Sequence, residues 1–203
     1  VMVNDSSIAG VNMQNTDIMK KLRGPKGTSV RVKVLRRGVK DLIEFKIVRD
    51  KIPIFSLDAA YMVDDEIGYI KINRFSSTTF AEYKTAFEKL KKKGMKSLIL
   101  DLQDNGGGYM SAAIELADEF LSEGKMIVYT EGVNQLKETH ESTAKGDFEM
   151  GNLVVLVNES SASASEIVSG AIQDWDRGVI IGRRTFAKGL VQKPVGLPDG
   201  AQI

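Results

Sequence analysis

Between residues 67 and 181 the chain alternates short apolar runs with segments of helical period. Residues 67–72, 97–102, 126–130, 153–157 and 179–181 read as strands, because each is brief, apolar and rich in Val, Ile or Leu. Residues 78–92, 110–121 and 163–175 read as helices. In the first of these Phe80, Tyr83, Phe87 and Leu90 recur at steps of three and four and form one apolar stripe. Strand and helix in alternation predict an α/β core with a largely parallel sheet flanked by helices. The continuous apolar run at 97–102 predicts a strand covered on both faces. Residues 131–150 are polar and read as a hairpin or flap, and residues 190–195 as a further strand.

The front of the chain has a different texture. Met2 and Val3 read as the end of a strand, with a turn at Asn4-Asp5. Thr16 is placed to cap a short helix over residues 17–22, stopped by Gly24-Pro25. Val30, Val32 and Val34 alternate with Arg31 and Lys33, and Ile43, Phe45 and Ile47 repeat the alternation after a turn at Arg37-Gly38. Some fifty such residues bury too little to be stable alone, so the block reads as the partial remnant of a small β-rich domain. The boundary is expected near Arg49-Asp50. Residues 51–65 read as a linker or edge strand because of Pro53, and residues 66–203 as the core. Val1 and Ile203 fall inside patterns, so the chain reads as a piece of a longer protein, and the missing leader says nothing of its compartment.

Composition removes several classes of function. Cysteine is absent, which excludes disulfides, thiolate metal sites and a cysteine nucleophile. Histidine occurs once, at His140 in a polar stretch, and reads as a surface residue. The formal net charge is +1, so nothing favours nucleic acid or an anionic membrane. Lys89, Lys91, Lys92 and Lys93 crowd one helix end, where they suit the macrodipole. A serine hydrolase built from this composition takes its base from lysine.

The candidate chemistry lies in residues 158–192. A strand delivers the chain into a run of serines. Ser163 with Glu166 fits a capping box, which also sets Ser163 beside the orphan N–H groups of a helix start. Ala164 N–H then lies next to an oxyanion formed on attack by Ser163. A glycine N–H from Gly106-Gly107-Gly108, between a strand and a helix, can supply the second donor. That loop has neither a dinucleotide nor a phosphate-loop pattern, and a tight turn is its plain structural reading. Asp174 falls about three helical turns after Ser163, on the same side, and is either an auxiliary carboxylate or an exposed one. Lys188 sits among Phe186, Leu190 and Val191. A surface lysine is the default reading, but burial there would lower its pKa and free a neutral amine to take the Ser163 proton. Gln192 is spaced to hold that amine.

These residues resemble the carboxyl-terminal processing, or tail-specific, proteases, a family of serine peptidases with a Ser/Lys pair. The resemblance is carried by Ser161-Ala-Ser-Ala-Ser-Glu166, Gln173-Asp174, Gly182 and Thr185-Phe186 followed by Lys188-Gly189 and Val191-Gln192. Asp101-Leu-Gln-Asp-Asn-Gly-Gly-Gly108 and Ile67-Gly-Tyr-Ile70 also match, and Leu22-Arg-Gly-Pro-Lys-Gly-Thr28 resembles the later half of a PDZ domain. It implies a crotonase-like core, Ser163 as nucleophile, Lys188 as general base and Gln192 as its orienting residue. The oxyanion donors become Ala164 with Gly107 or Gly108. The front block, residues 1–50, becomes a partial PDZ domain that gates the site, with Arg23 communicating between the two. The implied partners are proteins or peptides with exposed C-terminal tails, with homo-oligomerisation left open. No nucleic acid, cofactor or metal is implied. The implied location is periplasmic or cell-envelope, with a membrane anchor in the full-length parent left open. Ala187 departs from the family, which has glycine there, and its methyl group would strain the backbone. An inactive peptide-binding scaffold and a crotonase-type acyl-CoA enzyme are the competing readings.

Overall fold

The computed structural model describes residues 1–50, 55–192 and 195–201. The chain divides into two compact units, Val1–Ile54 and Phe55–Ile203. Pro53, on which the linker reading rested, lies outside the described residues.

In the first unit β1 (Met2–Val3), β2 (Ser6–Ser7), β3 (Ser29–Val34) and β4 (Ile43–Val48) form an antiparallel sheet in the order β2-β1-β3-β4. Val30 stands opposite Ile47, and Val32 opposite Phe45. Among the described residues of this unit only Val3 and Val30 are buried apolar side chains, whereas Phe45 and Ile47 are 41% and 48% exposed. So thin a core matches the small burial expected of its length. Helix α1 spans Asn15–Leu22, not 17–22, and Gln14 occupies the cap position without a side-chain bond. The Gln14 carbonyl accepts from the N–H groups of both Asp17 and Ile18, which winds the helix ahead of Thr16. Its stop falls where Gly24-Pro25 predicts it.

The second unit is built on five strands in the order β11-β10-β7-β6-β5. They are β5 (Leu57–Met62), β6 (Ile67–Ile72), β7 (Ser97–Asp101), β10 (Asn152–Val157) and β11 (Val179–Gly182). Pairs β6/β7, β7/β10 and β10/β11 are parallel and β5/β6 is antiparallel, so the sheet is mixed. The helices are α2 (Thr79–Lys92), α3 (Met110–Asp118) and α4 (Ala164–Asp174). The strand expected at 126–130 does not join this sheet: as β8 (Met126–Gly132) it pairs with β9 (Gln135–Glu141), from the polar stretch, in a separate hairpin. Its base is tied to the end of α4 by Trp175 Nε1–H, which donates to Met126 O at 2.8 Å.

From β6 to β11 the parallel strands are added in one direction only. Right-handed crossovers on such a sheet all land on the same face. Tyr83 and Phe87 of α2, Leu116 of α3 and Val168 and Ile172 of α4 therefore share one core with Ile70, Leu98, Leu100 and Val155. This corrects the expectation for β7. Leu98 and Leu100 are buried, but Ile99 faces the other side and is only half-buried. Two further expectations fail: α3 stops at Asp118, short of residue 121, and Leu190–Gln192 form no strand. Residues 193–194 of that expected strand lie outside the described ones.

Candidate active site

The parallel strands deliver their loops to one edge of the sheet, and two of those loops are laced together by buried polar groups. Asn105, fully buried, donates from Nδ2 to Ile72 O at 2.8 Å and accepts from Gly107 N–H at 2.9 Å. Its carbonyl accepts from Ala162 N–H at 3.0 Å and from the Ser165 hydroxyl at 2.9 Å. The Ser161 hydroxyl donates to Leu102 O at 2.7 Å, and Asn158 and Asp104 bond to each other through Nδ2 to Oδ1 at 2.9 Å. The loop is also held at its root. Asp101, 4% exposed, accepts from the Tyr69 hydroxyl at 2.5 Å and from Lys71 Nζ at 3.3 Å, and its other oxygen takes Gln103 N–H at 2.8 Å. Burial, then the bond to Asp101, pushes the Tyr69 hydroxyl pKa up, so it stays a donor.

This lacing separates the serines by role. The hydroxyls of Ser161, Ser165 and Ser169 each donate to a backbone carbonyl. Among the described residues the Ser163 hydroxyl donates to nothing. Ser163 is half-buried at the start of α4 with φ 55° and ψ −110°, a strained conformation for a residue with a side chain. The expected capping box is present, but its strong half is Glu166, whose Oε2 accepts Ser163 N–H at 2.7 Å. The hydroxyl half is an approach without a side-chain cap bond.

The glycine loop presses against this serine. A Cβ on Gly107 would lie 2.7 Å from Ala162 O, 2.8 Å from Ser163 Cβ and 3.0 Å from Ala164 N, so only glycine fits. One on Gly108 would lie 1.9 Å from Phe75 O. Of the expected donors, Gly107 N–H is already committed to Asn105, which removes it from an oxyanion role in this arrangement. Gly108 N–H has no partner among the described residues, and Ala164 N–H is the first orphan donor of α4.

Lys188 takes the ordinary surface reading and not the buried one. It is exposed, as are Phe186, Leu190 and Val191 at 65%, 76% and 54%. Among the described residues no dry pocket encloses its amine, because residues 186–191 run over the surface without packing into the core. Lys188 Nζ donates to Gln192 Oε1 at 3.3 Å, the pairing that their spacing suggested. The segment is fastened instead through Glu166. Its Oε1 accepts from the Thr185 hydroxyl at 2.8 Å and Ala187 N–H at 2.6 Å, and its Oε2 accepts from Lys188 N–H at 2.9 Å. Burial pushes the Glu166 pKa up, but the bonds from Thr185, Lys188, Ser163 and Ala187 outweigh it and hold the carboxyl below its ordinary range. Ala187 has φ 68°, the left-handed conformation that its methyl group disfavours.

Asp174 is exposed at the last residue of α4, about 16 Å along the helix axis from Ser163, so it joins no site there. Arg23 belongs to the first unit and closes α1, its N–H donating to Met19 O at 2.8 Å. His140 is half-buried on β9, not on the open surface, with Nε2 at 3.6 Å from Glu138. In the sequence Asn105 stands only as a letter of the motif at residues 101–108 with no role of its own, and Glu166 has only the role of a cap. The signal for Asn105 was its place beside the glycines, and for Glu166 nothing local pointed to residues 185–188. A cleft of about 940 Å³ lies between the hairpin and residues 189–191, with Met110, Tyr129 and Val133 among its walls.

A strained serine at a strand-to-helix turn, with its hydroxyl unengaged, is also how α/β-hydrolases present a nucleophile. The sequence profile of peptidase family S41 matches residues 66–203, and the chain belongs to that family. Its relatives include the carboxyl-terminal-processing protease of Synechocystis sp., 38% identical over 206 residues, which cover 97% of this chain and 47% of that protein. The carboxy-terminal processing protease CtpA of Bacillus subtilis is 37% identical over 203 residues, covering 100% of this chain and 42% of its own. Among solved structures, the photosystem II D1 C-terminal processing protease superposes with a TM-score of 0.65 at 30% identity, covering 98% of this chain and 54% of that one. The chain thus spans about half the length of the relatives that it matches.

Proposed function

We propose that this chain carries the catalytic centre of a serine endopeptidase that cleaves proteins near their C-termini. Ser163 is the nucleophile, Lys188 the general base and Gln192 the residue that orients Lys188. Ala164 N–H and Gly108 N–H form the oxyanion hole. The observation that carries this reading is the Ser163 hydroxyl, left without an acceptor among the described residues on a strained helix start beside the glycine loop, while the buried hydroxyls of Ser161, Ser165 and Ser169 around it are all engaged.

In the reaction the neutral Lys188 amine takes the proton of Ser163 Oγ as the oxygen attacks a peptide carbonyl. The tetrahedral oxyanion meets the two N–H donors, each worth about 3 kcal/mol of barrier. The protonated amine then gives its proton to the departing amino group, and water hydrolyses the acyl-enzyme by the same sequence. Base work needs a neutral amine, which desolvation favours. The exposed Lys188 is therefore read as a resting arrangement that closes when substrate excludes water from residues 186–191.

The rest of the reading leans on the family resemblance. The second unit is taken as a crotonase-like core. The first unit is taken as part of a PDZ domain, because Leu22-Arg-Gly-Pro-Lys-Gly-Thr28 leads into its paired antiparallel strands. It binds the substrate's C-terminal tail and gates the site, with Arg23 as the communicating residue. The protein works in the periplasm or cell envelope. Membership of a peptidase family leaves the acyl-CoA reading without support. A catalytically inactive scaffold is favoured by one observation, the left-handed Ala187 beside an exposed Lys188.

Ser163→Ala and Lys188→Ala separate these readings in the full-length protein. Each is expected to lower kcat by a factor of about 10³ or more with the fold unchanged. Labelling of Ser163 by a fluorophosphonate is expected in the parent and absent in Ser163→Ala. Cleavage that persists in both variants overturns the proposal, and an unlabelled Ser163 with no cleavage in the parent favours the scaffold.

A further inference from the structure

The segment that carries Lys188 is exposed, yet one side chain grips it at three places. Glu166 takes the Thr185 hydroxyl and Ala187 N–H on one oxygen and Lys188 N–H on the other. The oxygen that holds Lys188 N–H at 2.9 Å also holds Ser163 N–H at 2.7 Å. One carboxylate oxygen therefore joins the backbones of the two residues that the proposed reaction brings together. Near it, the remaining backbone ties of residues 183–192 to the core are Arg183 N–H to Val157 O at 3.2 Å and Phe186 N–H to Ser161 O at 3.0 Å. Both precede Ala187. Beyond Phe186, the described hold on the base-bearing residues is Glu166.

We infer that Glu166 is a positioning residue that sets the separation of Ser163 and Lys188, and that it acts as a releasable latch on the base-bearing segment. The latch requires the ionised carboxylate. Four donors converge on its two oxygens, and an amide offers a single accepting atom and turns an NH₂ toward donors. The leverage is large because Ala187 is held at φ 68°, a conformation that a non-glycine residue keeps only under constraint. Once the carboxylate lets go, Ala187 relaxes toward negative φ and carries Lys188 away from the helix start. The catalytic consequence rests on the Ser163/Lys188 reading; the latch itself does not.

The test uses Glu166→Gln in the full-length protein with two readouts. Amide hydrogen exchange at Ala187 and Lys188 is expected to rise about tenfold or more, while Leu100 and Val155 in the sheet keep the parent's rate. The kcat for a peptide substrate is expected to fall about 10²-fold with KM within about threefold, since a displaced base weakens the transition state and not substrate binding. Unchanged exchange at Ala187 and Lys188 overturns the latch whatever the activity. Faster exchange with kcat within about twofold of the parent overturns the positioning role. A parent that shows no Ser163-dependent cleavage defeats the proposed function and leaves the exchange result to decide the latch. Thr185→Val removes one donor without touching α4, and stands in if Glu166→Gln does not fold. It is expected to raise exchange at Ala187 about threefold, and an unaltered rate overturns the latch in the same way.

Discussion

The two ends of the proposed dyad are built in opposite ways. Ser163 stands where a buried strand meets a buried helix start, between Ala162 and Ala164, which are 7% and 0% exposed. Asn105, Ser161 and Ser165 lock the surrounding backbone from below. Lys188 stands on a surface segment whose apolar neighbours are turned to solvent and whose described hold on the core past Phe186 is the Glu166 carboxylate. A serine nucleophile must be aimed to a fraction of an ångström at a carbonyl, so its frame is fixed before substrate arrives. A lysine base must lose water and charge to act, so a frame that closes late can double as control. The difference teaches that, on the proposed reading, activity depends less on making Ser163 than on bringing Lys188 home.

Three changes break or sharpen that contrast. The largest effect is expected at the rigid end. Gly107→Ala pushes a methyl group to within 2.7 Å of Ala162 O and 2.8 Å of Ser163 Cβ at a φ of 99°. Overpacking and left-handed strain together are expected to cost about 2–3 kcal/mol in chemical denaturation and roughly 10²-fold in kcat. A variant with parental stability would mean that the serine frame is softer than it looks.

An intermediate effect is expected from acid. The folded Glu166 carboxyl is held below its unfolded value, so the hold that it provides is full above the unfolded pKa and is lost as pH falls through the folded one. Titration followed by NMR is expected to release the amides of Ala187 and Lys188 at a pH below the ordinary carboxylate range, while the amides of β10 stay protected. Simultaneous loss of both would erase the distinction between the two ends.

The smallest effect is expected from Ala187→Gly. It removes the left-handed penalty at φ 68° and adds chain entropy to the unfolded state, so the net change in stability is within about 1 kcal/mol. Its value lies in activity. A rise in kcat of about twofold to fivefold with little change in melting temperature would place the alanine's cost on the base-bearing segment. A fall would show that the strained alanine helps to keep Lys188 where Glu166 holds it.

Local chemistry determined a great deal. The apolar runs and helical stripes of residues 67–182 fixed which segments become strand or helix, because period and burial are set by neighbours a few residues apart. The same local signals marked Ser163 as a helix start, Gly107 and Gly108 as a tight approach, and Lys188 with Gln192 as a pair one helical-turn length apart in sequence. What only the tertiary structure decided depends on contacts between distant residues. The one-sided cover of the sheet follows from strand order, which no single strand encodes. Asn105 joins β6 to the start of α4, and Glu166 reaches across to Thr185, Ala187 and Lys188, so neither role has a local signature. The exposure of Lys188 belongs to the same class. Apolar flanks suggest burial, but burial is a property of what packs against a segment, and Phe186, Leu190 and Val191 stay 65%, 76% and 54% exposed.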